Sequence, residues 1–112
     1  MPQDYVYVVR SAPVKGLEDE YNRWYTEQHL QDVLAVPGFV SAQRFTLKTD
    51  DPNEVPYLAL YYMRTDDPDA LLAKLVELVE SGKMAMTEAF DHERVATVLY
   101  QAITPSVQPI KA

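Results

Sequence analysis

Cysteine is absent from the 112 residues, glycine occurs three times, and there are two histidines and one tryptophan. The missing thiols exclude disulfides, thiolate metal sites and cysteine nucleophiles, and they suit a reducing cytoplasm. Three glycines spread along the chain cannot build a phosphate-cradling loop. No G-x-S-x-G turn is present to expose a serine nucleophile. Positive charge is scarce too: ten Lys and Arg stand against seventeen Asp and Glu, a net charge of −7. The basic residues form no patch, so phosphate backbones are repelled and nucleic acid is not an expected partner. No window approaches the ~18 apolar residues of a membrane span. The opening "MPQDYVYVVRS" lacks the basic stretch and apolar run of a signal peptide. The expected setting is cytoplasmic, away from membranes.

What is present describes an ordinary folded chain. Apolar residues make up 47% and charged residues 24%, which predicts one globular domain over residues 1–112 with a modest core. Residues 5–10, "YVYVVR", are β-branched and aromatic and predict a strand. Pro13 and Gly16 punctuate the loop that follows. Glu18, Asp19 and Glu20 crowd the first turn of a helix over 17–29, where carboxylates suit the positive helix end. Leu17, Tyr21, Trp24, Tyr25 and Gln28 form its apolar stripe. Pro37 disfavours helix beyond Val36.

Strands are predicted over 39–48 ("FVSAQRFTLK") and 57–64 ("YLALYYMR"), joined by the acidic turn "TDDPNEVP". Asp67 as N-cap and Pro68 at the first helical position open a second helix. Its apolar face is Leu71, Leu72, Leu75, Val76 and Val79, and Gly82 closes it. "KMAMTEAFDHE" is compatible with one more helical turn. Residues 94–103, "RVATVLYQAI", predict the last strand, and "TPSVQPIKA" is a tail with two prolines.

The order β-α-β-β-α-β, with right-handed crossovers, predicts an α+β ferredoxin-like sandwich: a four-stranded antiparallel sheet with two helices on one face. "VYVV", "YLALYYM" and "VATVLY" are apolar at both parities. A sheet with one wet face should alternate. Two helices cover one face only, so a second copy packed sheet to sheet is expected on the other.

The stretch "EYNRWYTEQHLQDVLAVPGFVSAQRF", residues 20–45, resembles the dimeric α/β-barrel superfamily, in particular its EthD-like branch. Members of that branch run from a WY-containing helix through a histidine and a "PGF" turn into a strand with a "QR-aromatic" stretch. Many relatives carry a proline two residues after the histidine, where this chain has Gln31, so the helix here can run on. The resemblance implies the fold and the homodimer. It also implies chemistry without a cofactor, since the superfamily includes polyketide cyclases and muconolactone isomerases. Small monooxygenases, haem-handling proteins and members without known activity belong to it as well.

His29 is the residue that would carry such chemistry. Placed at the tail of its helix, it should lie over the sheet rim near Tyr5, Phe39, Met63 and Arg64, with the negative helix end favouring its charged form. Imidazole takes and returns a proton near neutrality. Asp32, three residues on, is the candidate to fix its tautomer. Tyr7, Tyr25 and Tyr61 are candidates to line the pocket, and Arg44 to bind a substrate carboxylate or phenolate or to pair with a carboxylate of the partner chain in the dimer. The expected activity is proton transfer by a cyclase, isomerase, decarboxylase or related lyase on a small aromatic or polyketide-like molecule. The alternatives are a non-catalytic small-molecule binder or accessory protein, and a haem binder. No metal is expected: with His92 at the start of the last strand, the two histidines should stand roughly 25 Å apart.

Overall fold

Strands rich in Val, Tyr and Leu fold where the sequence predicts them, and their pairing places the site. The computed structural model describes residues 1–110; the last two residues of the predicted tail lie outside them. β1 (Gln3–Ser11), β2 (Phe39–Thr46), β3 (Tyr57–Thr65) and β4 (Ala96–Gln101) form one antiparallel sheet in the order β2-β3-β1-β4. This is the expected ferredoxin-like arrangement. The first helical run comprises α1 (Glu18–Trp24), a π-helical turn (Tyr25–His29) and α2 (Leu30–Leu34). It ends just short of Pro37 but extends five residues beyond the predicted helix. α3 (Pro68–Glu80) is capped as expected: the Asp67 carboxylate accepts the Ala70 N–H at 3.0 Å, and Gly82 takes a positive φ of 78°.

Register sorts the side chains of the sheet. Tyr5 pairs with Met63, Tyr7 with Tyr61 and Val9 with Ala59, which sets these six side by side on the helix-covered face. Tyr21, Trp24, Tyr25 and Val33 pack onto them from the first helical run, and Leu71 from α3. The alternate positions Val6, Val8, Leu58, Leu60, Tyr62, Val98 and Tyr100 face the other way. Among the described residues no element covers them, and Val98 and Tyr100 remain 47% and 60% exposed.

Residues 83–91 contain no further helical turn. They form an irregular segment whose backbone pairs with the loop after β1: Val14 N–H donates to Ala89 at 2.6 Å and Asp91 N–H to Ala12 at 3.1 Å. Met84 and Ala89 are buried by it. Cross-loop pairing satisfies the backbone of this segment in place of a helical ladder.

Gly38 joins α2 to β2 at φ 112°, and its carbonyl accepts the Arg64 N–H at 2.8 Å. A Cβ there would stand 2.8 Å from Leu71 Cδ2. Gly38→Ala therefore combines left-handed strain with overpacking and should lose about 2 kcal/mol of stability in urea unfolding. Gly16→Ala, at φ 90° with open space around it, should lose only about 1 kcal/mol.

Candidate functional site

The π turn builds the site. Leu30 N–H reaches back five residues to Tyr25 O, so the turn holds one residue more than an α-turn. Everything after it is advanced by one position. Tyr21, Trp24 and Tyr25 face the sheet before the turn, and Val33 and Val36 face it afterwards. Between them the inward position falls on His29, while Gln28 is left exposed. Trp24 and Tyr25, five and four residues back, flank the imidazole. The indole stacks on it at 4.4 Å between ring centroids with planes 23° apart, and Tyr25 meets it edge-on at 5.2 Å and 87°.

His29 therefore lies in the middle of a helical run and not at its end. The sequence placed it over the rim near Tyr5, Phe39, Met63 and Arg64; it lies instead over the middle of the sheet, with Tyr7, Val9 and Tyr61. The expected help from a negative helix end is also overturned. Burial pushes the imidazole pKa down to about 4, and the nearby negative charge of Asp32 opposes this only in part. Asp32 stands an ordinary α-helical turn after His29, beyond the π turn, and makes no hydrogen bond to the ring. His29 Nδ1 is buried and has no hydrogen-bond partner among the described residues.

His29 forms part of the wall of a hollow of about 240 Å³. Its floor is Tyr7, Val9 and Tyr61 from the sheet, its near wall Tyr25, His29 and Val33, and its far wall Leu75 and Val79 of α3. The 83–91 segment closes it with Met84 and Phe90, and the exposed Val76, Glu80 and Met86 surround its mouth. Tyr61 O–H donates to Tyr25 Oη at 3.1 Å. Burial raises both phenol pKa values, that of Tyr25 to about 12. The hollow is thus apolar and uncharged at pH 7, with few polar atoms: a form suited to flat organic molecules.

Four of the six site residues expected from the sequence, His29, Tyr7, Tyr25 and Tyr61, line this hollow. Asp32 and Arg44 do not. Arg44, on β2, lies on the far side of Tyr25, its guanidinium 4.6 Å from that ring and 5.1 Å from Tyr57. It donates to Thr26 Oγ1 at 2.8 Å and Asn22 Oδ1 at 2.9 Å. Ring stacking and these two acceptors compensate the guanidinium within one chain. The second histidine is nearer than the strand length suggested: ring contacts of 5.1, 6.1 and 4.4 Å link His92 to His29 through Phe90 and Trp24. Among the described residues no group of three His, Asp or Glu side chains is placed to hold a metal ion. The sequence reading missed the contribution of Val33, Met84, Met86 and Phe90. Periodicity cannot reveal residues that reach a site through a π turn or an irregular segment.

The model of a family described as a domain of unknown function (DUF4286) matches residues 4–101, and the chain belongs to that family. No curated protein matches it. Among solved structures it is similar to the "Putative antibiotic biosynthesis monooxygenase from Nitrosomonas europaea", with a TM-score of 0.61. That match has 14% identity and covers 96% of this chain and 97% of the other. At that identity the likeness shows a shared fold. No helix among the described residues is long and apolar enough to cross a membrane.

The depressed histidine makes stability depend on pH in a defined window. An unfolded imidazole titrates near 6.5, and the folded one near 4. The unfolded chain therefore binds the extra proton first. The stabilisation from keeping His29 neutral is complete above about pH 6.5 and is lost as pH falls towards 4, a change of up to roughly 3 kcal/mol. In His29→Leu most of this slope should vanish, as read by urea unfolding at pH 7.0, 5.5 and 4.5.

Proposed function

We propose that this domain binds a flat, uncharged organic molecule in the hollow and that His29 accepts a proton from it, without a cofactor. One observation carries the reading: an imidazole in the wall of an apolar cavity, with one of its nitrogens buried and without a partner among the described residues. Leaving a buried polar atom unsatisfied costs about 1–3 kcal/mol, and a bound molecule with an acidic hydrogen relieves that cost. The cavity is smaller than those that hold drug-sized ligands, so one or two rings are the appropriate size. A neutral imidazole is a base and not an acid, which selects proton abstraction beside a carbonyl as the first step. Charge forming on the substrate would raise the basicity of His29 as the proton moves, and Asp32 would assist. The resemblance of residues 20–45 to the EthD-like branch supports the same chemistry. A second reading, binding without turnover, is favoured by the low basicity of the buried ring.

Exchange of the α-hydrogens of 2-tetralone in D2O, followed by NMR, separates the two. An enzyme should accelerate exchange over buffer by a factor of 10² or more. The rate should hold level from pH 8 to about 5 and fall as pH drops through about 4. His29→Leu should abolish the acceleration. Binding of the ketone without acceleration establishes the second reading, and absence of binding removes both.

The same proposal includes a homodimer joined through the uncovered sheet face. That face carries Val6, Val8, Leu60, Tyr62, Val98 and Tyr100 in one sheet, and a two-fold axis would set it against itself. The segment after β4 adds to the apolar surface, with Ile103 and Ile110 exposed at 95% and 97%. Its charged neighbours are of both signs, including the Arg64–Asp4 pair at 2.8 Å, so two copies meet without like-charge conflict. Light scattering after size exclusion should give twice the 12.8 kDa of one chain. Leu60→Asp should return the mass of one chain with the helical circular dichroism retained. A monomeric parent protein would refute the dimer.

A further inference from the structure

The chain carries more surface than a protein of its mass needs. A self-sufficient monomer of 12.8 kDa exposes about 6,300 Å², and this one exposes 7988 Å². The excess, about 1,700 Å², is of the size that each chain of an obligate homodimer buries. The Cα radius of gyration is 15.4 Å, where about 13 Å is usual for 112 residues. The uncovered sheet face is one source of the excess. The other is the segment after β4, residues 102–110, all of which are exposed. Ala102 N–H donates to Asp4 O at 2.8 Å, which keeps the segment in line with β4 as it leaves the sheet. Its sequence, "AITPSVQPI", is unlike that of a solvated tail. It has no charged residue, in a chain where charged residues make up 24%, and it carries Ile103, Val107 and Ile110. Pro105 and Pro109 fix φ and favour an extended chain, so little freedom is lost when it docks.

We infer that residues 102–110 form an arm exchanged between two copies of this chain, each arm docking on the β2 edge of the partner's sheet. The inference rests on the proposed sheet-to-sheet dimer and adds the arm, its docking site and the orientation of the two copies. Register gives the orientation. Phe39 pairs with Met63, Met63 with Tyr5 and Tyr5 with Gln101. The start of β2 and the root of the arm therefore lie at the same end of the sheet, on opposite edges. A two-fold axis along the strands sets each β4 against the partner's β2 with these ends together. An axis across the strands would set the arm against Glu93 and Arg94, just before β4. The start of β2 suits an uncharged arm better. Residues 37–43 carry no charge, and Val40 is 65% exposed, more than any other large apolar residue in the four strands. Packed sheets stand about 10 Å apart, and nine extended residues span up to about 30 Å, so the arm can reach the partner's Val40. Within one chain the start of β2 and the end of β4 are three strand spacings apart, about 14 Å, and Ile103 continues in line with β4. The same contact therefore cannot form within a single copy.

The absence of cysteine makes a direct test available. Val40→Cys combined with Ile103→Cys, both at exposed positions, introduces the only two thiols, too far apart in one chain for a disulfide. Oxidised in air and run on a non-reducing gel, the double variant should form a covalent dimer of twice 12.8 kDa at least tenfold faster than either single variant. In the full chain without cysteine, Ile103→Asp combined with Ile110→Asp should raise the dimer dissociation constant tenfold or more in analytical ultracentrifugation, with the helical circular dichroism retained. If the parent is a dimer but the double variant cross-links no faster than the single ones, the exchanged arm is overturned and the sheet-to-sheet dimer stands. A dissociation constant unmoved by the two aspartates overturns the arm in the same way. A monomeric parent overturns both.

Discussion

A single hydrogen bond, from Leu30 N–H to Tyr25 O, sets the geometry on which the site depends. Closing five residues where an α-helix closes four, it makes the helix wider for one turn and moves the following residues out of step. An imidazole that an unbroken α-helix would place beside the apolar stripe is brought into it, between an indole and a phenol. Asp32 follows one α-turn later and makes no hydrogen bond to the ring. Burial keeps the histidine neutral against the opposing charge of Asp32. π turns are rare because they lose close packing along the helix axis, and their frequency at functional sites follows from what the lost packing allows. Here it allows a polar ring on a face otherwise made of hydrocarbon and tyrosine.

The neighbouring part of the helix–sheet interface solves a different problem. Tyr21 shares a short hydrogen bond with Ser11, Asn22 donates to Tyr57, and Arg44 lies across Tyr21, Tyr25 and Tyr57. Each polar atom named there has a partner, so this region is a fixed network. It anchors Tyr25 from behind, and through Tyr25 the position of Tyr61. One side of Tyr25 is thus saturated and the other, facing His29 and the hollow, is not. The asymmetry separates a fully paired network from the side that borders the hollow within a single interface of two helices and a sheet.

Much of this fold was legible in the sequence because most of its devices are local. β-branched and aromatic runs marked the strands, Asp67-Pro68 opened α3, and Pro37 ended the first helical run within two residues. The apolar residues at both parities of the strands corresponded to a covered and an uncovered face. His29, Tyr7, Tyr25 and Tyr61 were legible as pocket residues because polar aromatics are unusual fillers for so small a core. What escaped was whatever depended on the π turn. An α-helical wheel assigns Gln28 and not His29 to the apolar stripe, and no composition signal shows that one extra residue is accommodated between Tyr25 and Leu30. The covering segment with Met84 and Phe90 escaped for a related reason: its order comes from pairing with the loop after β1 and not from its own periodicity. Arg44 was legible as a cation needing compensation, but three tyrosine faces are not a partner that charge counting suggests.

The hollow survives because its surroundings cannot close over it. α3 is held at its start by Leu71, seated against Gly38 at a distance that admits no Cβ, and its later turns leave Val76 exposed and Leu75 and Val79 only half-buried. The sheet below is fixed by its own ladder, and the first helical run is fixed by the tyrosine network. Collapse would have to come from the 83–91 segment, which already places Met84 and Phe90 against the opening and whose backbone is tied to residues 12 and 14. Packing in an interior is normally dense enough that such a space marks a constraint. The constraint here is an unpaired imidazole that no neighbouring side chain reaches, in a cavity whose walls are held from three sides. A folded domain that leaves both a polar atom unsatisfied and apolar surface uncovered forgoes stability at that point, which is the physical basis of the proposed binding.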